Sequence, residues 1–230
     1  MRLLLTRPEP DAARSAATLR QRGHTVVVAP LLRMEPLAAD FAGAFDGVLL
    51  TSANAARAIA AHARVGELRA LPVFAVGARS AEAARDAGFA QVASANGALA
   101  DLVRFVATNM RGGARLLYLA GEDRAGDLPG DLRRHGIAVE TAVIYRAAPL
   151  EALPRELVTA IDTLDGVLHY SRRSAETLLR LAVRADAHGA IVKLAHYCVS
   201  EEVAHPLQAA GAARLHVAAR PDENELFRLL

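Results

Sequence analysis

Two hydrophobic periods take turns along this chain. Short unbroken apolar runs, "RLLL", "HTVVVA", "GVLL", "PVFAV" and "AQVA", have the length and residue types of buried strands. Between them lie Ala-, Leu- and Arg-rich stretches with helical spacing, which predict helices over 11–22, 54–63, 80–87 and 99–109. The second half repeats the order: "ARLLYLA", a helix near 127–135, "IAVETAVIY", "GVLHY", a helix over 175–183, "IVKLAHYCV", a helix over 202–210, "ARLHVA" and a last helix over 223–230. Gly23, Gly88, Gly136 and Gly211 fall just past four of these helices, where a C-terminal cap favours glycine. Such alternation predicts an α/β fold of parallel strands joined by helical crossovers.

The pattern also recurs at long range. "DGVLLTSANAARAI", from Asp46 to Ile59, returns in outline as "DGVLHYSRRSAETLL", from Asp165 to Leu179. "RLLLTRP" pairs with "RLLYLAGEDR", and "VFAVGARSAEAARDAGF" with "HYCVSEEVAHPLQAAGA", at offsets of roughly 115 to 125 residues. Duplication of one α/β unit accounts for this, the alternative being chance likeness of local α/β grammar. Each unit is interrupted after its first βαβ by a Pro-bearing stretch, Pro30 to Pro36 and Pro149 to Pro154, the natural crossings between two domains.

Composition narrows the function classes. A chain of 230 residues that is 53% hydrophobic buries a real core. Its 27 Lys and Arg stand against 25 Asp and Glu with no basic block, and aromatics are 4%, so neither a nucleic-acid groove nor a stacking platform is expected. Lys193 is the only lysine, a compositional habit rather than a functional signal. Cys198 stands alone, so no disulfide forms within the chain. The apolar run in "MRLLLTRPEPD" is too short for a signal peptide and no 18 apolar residues run together, so we expect a soluble, cytoplasmic protein without a membrane partner.

Ligands of open parallel sheets sit outside the carboxyl ends of the strands, which directs attention to six polar corners. They are Thr6-Arg7, Thr51-Ser52-Ala53-Asn54, Gly77-Ala78-Arg79-Ser80, Gly121-Glu122-Asp123-Arg124, Ser171-Arg172-Arg173-Ser174 and Ser200-Glu201. Each offers backbone N–H groups and a hydroxyl or Arg at a helix start, chemistry that holds carboxylates or phosphates. Any single corner reads first as plain helix capping; if the two domains face each other, the set lines an anion-accepting cleft.

Other catalytic patterns are missing. There is no G-x-G-x-x-G after a strand, no P-loop, no C-x-x-C or H-E-x-x-H, and the eight His lack ligand spacing. His169 and His196 read as core histidines within strands. Glu122-Asp123 and Glu201-Glu202 open helices, where the macrodipole favours acids. Ser52, Ser171 and Ser200 have no evident activating base. Tyr145, in "VIYRAAP", is read as a strand-end residue beside the second crossing; it either packs or points its phenol into the cleft.

In this order, "LLLTRP", "LLTSANAAR", "FAVGARSAEAARDAGF", "LYLAGEDRAGDLPGDLRRHGIAVETAVIYRA", "DGVLHYSRRSAETLL" and "VSEEVAHPLQAAGA" before "PDENEL" resemble the uroporphyrinogen-III synthase family over essentially the whole chain. Ser80 stands where that family often has Thr, and "SANGALADL" is a looser match. The resemblance implies two α/β domains joined by two strand-like connectors near 30–37 and 145–154, with domain one at 1–36 and 148–230 and domain two at 37–147. It implies a cofactor-free, metal-free lyase that closes hydroxymethylbilane, a linear tetrapyrrole with eight carboxylates, to uroporphyrinogen III with its last ring inverted.

Tyr145 takes the position of the family's functionally implicated tyrosine and is expected to hydrogen-bond the departing hydroxyl. Ser52, Ser80, Ser171 and Ser200 are expected on substrate carboxylates. Thr6, Asn54, Gly77, Gly121 and Ser174 stand beside them, as do Arg7, Arg79 and Arg172 unless these arginines are merely solvated. A monomer is expected, with at most transient contact to the upstream deaminase. Two readings compete: a two-lobed small-anion-binding or sensor module, and a pair of receiver-like or flavodoxin-like modules.

Overall fold

The computed structural model describes residues 1–124 and 126–230. The chain divides into two compact units, one made of Met1–Arg33 and Ala148–Leu230, the other of Met34–Ala147.

The first unit opens with β1 (Arg2–Leu5), α1 (Asp11–Gln21) and β2 (Thr25–Val28). The chain then leaves through β3 (Leu32–Pro36) and builds β4 (Gly47–Leu50), α2 (Ala53–Ile59), α3 (Val65–Leu68), β5 (Pro72–Ala75), α4 (Ala78–Asp86), β6 (Gln91–Ser94), α5 (Leu99–Asn109), β7 (Arg115–Gly121), α6 (Leu128–Arg133) and β8 (Ala138–Pro149). It closes the first unit with α7 (Arg155–Ala160), a short 3-10 turn (Ile161–Thr163), β9 (Gly166–His169), α8 (Arg172–Arg184), α9 (His188–Val192), β10 (Ala195–Cys198), α10 (Glu201–Ala209), β11 (Leu215–Val217) and α11 (Glu223–Phe227).

One sheet has the order β11-β10-β9-β1-β2, all parallel. The other has β6-β5-β4-β7-β8, also parallel, with β3 added beside β8. The two orders superimpose when β1 is matched with β7, β2 with β8, β9 with β4, β10 with β5 and β11 with β6. The second unit is therefore a cyclic permutation of the first, and the three recurring sequences fall on the matched pairs β1 and β7, β9 and β4, and β10 and β5. Strands of both sheets are covered on two faces: Leu4 belongs to one apolar cluster while Leu3 and Leu5 belong to another, and Leu49 is likewise separated from Val48 and Leu50. That two-sided burial is why the strands read as unbroken apolar runs.

The repeated Asp-Gly does the same work in both units. Asp165 Oδ2 accepts from the N–H of Arg2 at 2.6 Å, and Asp46 Oδ2 from that of Arg115 at 2.8 Å, so each aspartate clasps the first residue of the neighbouring strand. The glycine that follows is required by close approach: a Cβ on Gly166 would lie 2.8 Å from the Ala195 carbonyl oxygen and the Tyr197 ring, and one on Gly47 3.0 Å from the Pro72 oxygen.

The elements depart from the periodicity at two places. In "IVKLAHYCV" the first residues close α9, with Ile191 and Leu194 packed in the first unit's core, and the strand starts only at Ala195; an apolar run alone does not separate a buried helical turn from a strand. Lys193 thus caps a helix and does not begin a strand. β8 continues to Pro149, so Tyr145 lies inside a twelve-residue strand and not at its end.

Candidate functional site

In each sheet the strand order reverses at one place, between β1 and β9 in the first unit and between β7 and β4 in the second. Crevices at such reversals, beyond the carboxyl ends of the strands, are where open α/β sheets take ligands.

In the second unit this crevice is built around Tyr145. Along β7 and β8 the register runs Leu119 to Ala142 and Ala120 to Val143, then jumps so that Gly121 faces Tyr145. One extra residue in β8 breaks the two-residue alternation: Ile144 and Tyr145, though consecutive, pack against the same apolar cluster. The Glu122 N–H donates to the Tyr145 carbonyl at 2.9 Å and fixes the bulge. Gly121 leaves the space the ring fills, since a Cβ there would lie 2.6 Å from Tyr145 Cζ and 2.7 Å from Oη.

Ser52 completes the arrangement. It is extended at the start of α2, and its Oγ accepts from the Asn54 N–H at 3.1 Å. The Ser52 hydroxyl also lies beside the Tyr145 phenol. Burial raises the Tyr145 pKa above its ordinary value; the neighbouring Ser52 hydroxyl opposes that, and Tyr118 and the charge of Asp123 reinforce it. The phenol therefore stays protonated at neutral pH. Thr51 Oγ1 and Tyr118 Oη, 2.8 Å apart, tie β4 to β7 next to this pair. Tyr118 escaped the sequence reading because it sits in an otherwise apolar strand; a lone Tyr among leucines, two residues short of a polar strand end, is the signal that could have found it.

The remaining candidates fall into distinct environments. Asn54 Oδ1 accepts from Arg57 at 2.8 Å. Gly77 opens α4 with open space where a side chain would be, and Arg79 beside it is exposed. Ser171 caps α8: its Oγ accepts from the Ser174 N–H at 3.2 Å and donates to Ser174 Oγ at 2.9 Å. Arg172 is exposed and bonded to Glu176 at 2.8 Å. Ser200 starts α10 with no side-chain capping bond. Three predicted hydroxyls turn inward. Thr6 is fully buried, Ser80 is 5% exposed and Ser174 2%, because each occupies the core-facing position of its strand end or first helical turn. Their side chains are almost wholly withdrawn from solvent.

The matching crevice of the first unit is occupied by the chain's own groups. Arg7 lies over the Tyr170 ring, 4.1 Å from its centroid, and donates to Glu223 at 2.8 Å, Ser15 at 3.1 Å and Asp11 at 3.1 Å. Burial, then the charge of Glu223, push the Tyr170 phenol well above its ordinary pKa.

His169 and His196 form a buried pair on adjacent strands, Nε2 to Nδ1 at 2.9 Å, and His196 Nε2 is 3.1 Å from the Ile191 carbonyl. A carbonyl only accepts, so His196 carries its proton on Nε2, His169 donates from Nε2, and His169 Nδ1 is a bare acceptor with no partner among the described residues. Burial lowers both, His196 to about 4. Burial also pushes the Cys198 thiol up to about 12. Among the described residues no three His, Cys, Asp or Glu gather as a metal site, and no helix is long and apolar enough to cross a membrane.

The family model for uroporphyrinogen-III synthase HemD matches residues 13–228. The chain belongs to the uroporphyrinogen-III synthase family. Membership makes it an enzyme, a lyase of haem biosynthesis. The fold agrees: the uroporphyrinogen-III synthetase of Helicobacter pylori 26695 is 17% identical with a TM-score of 0.66, over 100% of this chain and 98% of that one. A mutant uroporphyrinogen III synthase from the extremely thermophilic bacterium Thermus thermophilus is 18% identical with a TM-score of 0.51, over 100% of this chain and 95% of that one. No curated protein matches the sequence.

Proposed function

We propose that the chain converts hydroxymethylbilane to uroporphyrinogen III, with loss of water and inversion of the last pyrrole ring. The observation that carries the mechanism is the Gly121, Tyr145 and Ser52 constellation. Ser52, held at the start of α2 with its Oγ accepting from the Asn54 N–H, lies beside the Tyr145 phenol, and Gly121 leaves the space that the ring fills. The protonated phenol is the donor that we assign to this crevice. It gives its proton to the departing hydroxyl of the bilane, which leaves as water as the azafulvene cation forms, and the phenolate takes back the proton released when the closed ring regains its aromaticity. Ring closure then needs positioning more than strong acids or bases.

Carboxylates of the substrate are assigned to the strand-end corners: the hydroxyls of Ser171 and Ser200 with Arg172, and the backbone at Gly77 with Arg79. Each supplies N–H groups at a helix start to a polyanion.

The test generates the bilane in place from porphobilinogen and its deaminase, adds the protein, oxidises the products and separates the uroporphyrin isomers. Type III product is expected in place of type I. A folded Tyr145→Phe variant should turn over much more slowly; a wild-type rate would remove Tyr145 from the chemistry. If type I persists with folded wild-type protein, the synthase reading falls and a non-catalytic small-anion-binding module takes its place.

A further inference from the structure

The crevice of the first unit holds a carboxylate already, and it is the chain's own. Glu223 Oε1 takes hydrogen bonds from Arg7 Nη1 at 2.8 Å and from Ser15 Oγ, over the face of Tyr170. The site lies where β1 and β9 end and the strand order reverses, the ligand position of such a sheet. Arg7 has a second anchor in Asp11, so the guanidinium keeps its place whether or not Glu223 is there.

Glu223 is poorly retained by comparison. Its side chain is 40% exposed against 15% for Arg7, and it stands in the first turn of the five-residue α11. That helix is anchored elsewhere, by Leu226 and Phe227 in the core, by Asp222 capping its start, and by Arg22, which donates to the Phe227 carbonyl. A change of Glu223 rotamer frees Arg7 and Ser15 without unpacking the helix. Replacing one carboxylate by another leaves the charge at Arg7 unchanged, so the exchange is close to balanced and a multivalent anion tips it.

We propose that Glu223 holds the place of a substrate carboxylate and is displaced from Arg7 and Ser15 when a small polycarboxylate binds. This rests on the polycarboxylate reading of the substrate given above, and it adds a resident competitor at a defined subsite.

The test is calorimetric titration of the intact protein with propane-1,2,3-tricarboxylate at low salt. Water reaches the pair from the Glu223 side and weakens it, so Glu223→Gln should bind the probe about two- to five-fold tighter than wild type. Glu223→Ala should show the same gain, and adding Arg7→Gln to either should abolish it. In the isomer assay the KM for the bilane should fall with the probe's Kd. Equal or weaker binding by both folded Glu223 variants, or a gain that survives Arg7→Gln, overturns the proposal. Tighter probe binding without type III product would instead uphold the exchange while removing the synthase reading.

Discussion

The histidine pair predicts an acid weakness confined to the first unit. In the folded chain neither His169 nor His196 has room for a second proton. On His196 it would fall on Nδ1, against the N–H of His169; on His169 it would fall on the bare Nδ1, buried without a partner. The unfolded chain takes both protons near pH 6.5. The stability linked to the pair is therefore complete above pH 6.5 and drains as pH falls from there toward 4. For His196 alone, lowering from 6.5 to about 4 corresponds to about 3 kcal/mol at roughly 1.4 kcal/mol per unit. With both rings titrating in the unfolded state, the slope near pH 5 approaches roughly 3 kcal/mol per pH unit. The assay is urea unfolding at pH 7.5, 6.5, 5.5 and 5.0, wild type against His169→Leu/His196→Leu, with hydrogen exchange of β9 and β10 reporting the unit concerned. Carboxylates titrate alike in both proteins, so the difference in slope belongs to the pair. Parallel pH profiles between 6.5 and 5 would refute the reasoning.

Gly121→Ala should mimic loss of the phenol: ordinary contact begins at 3.4 Å, so a Cβ 2.6 Å from Tyr145 Cζ moves the ring by roughly 0.8 Å. A misplacement of that size lowers turnover about 100-fold in the isomer assay, and a folded variant at the wild-type rate would sink the placement argument. Gly166→Ala, whose Cβ would meet the Ala195 oxygen at 2.8 Å, should cost about 1–3 kcal/mol by urea denaturation; an unchanged midpoint would show that β9 and β10 yield freely.

The sequence patterns carried the architecture because burial on both faces turns strands into apolar runs, as in "RLLL" and "GVLL", while helices such as α5 keep a clear apolar stripe. Tyr145 shows the limit. Counting by two from Ile144 turns its side chain away from the cluster on which it packs, because a bulge is a property of two paired strands and leaves no mark on either alone. Thr6, Ser80 and Ser174 show another: a hydroxyl after a strand reads the same whether it faces solvent or the core, and a shift of one residue decides which. Ser171 and Ser52, by contrast, stand one position before their helices, where the capping geometry itself keeps the oxygen outside.

The cyclic permutation has a consequence for how such a chain could arise. β3 enters the second unit and β8 leaves it side by side, with the Leu37 N–H on the Ile144 carbonyl and the Leu150 N–H on that of Leu31. All of Met34–Ala147 thus hangs from two neighbouring points between β2 and α7, within what would otherwise be one ordinary strand-helix-strand crossover of the first sheet. A gene segment could enter there in a single event, because the host sheet keeps every strand neighbour it had and the guest needs its ends no further apart than one hydrogen-bonded pair.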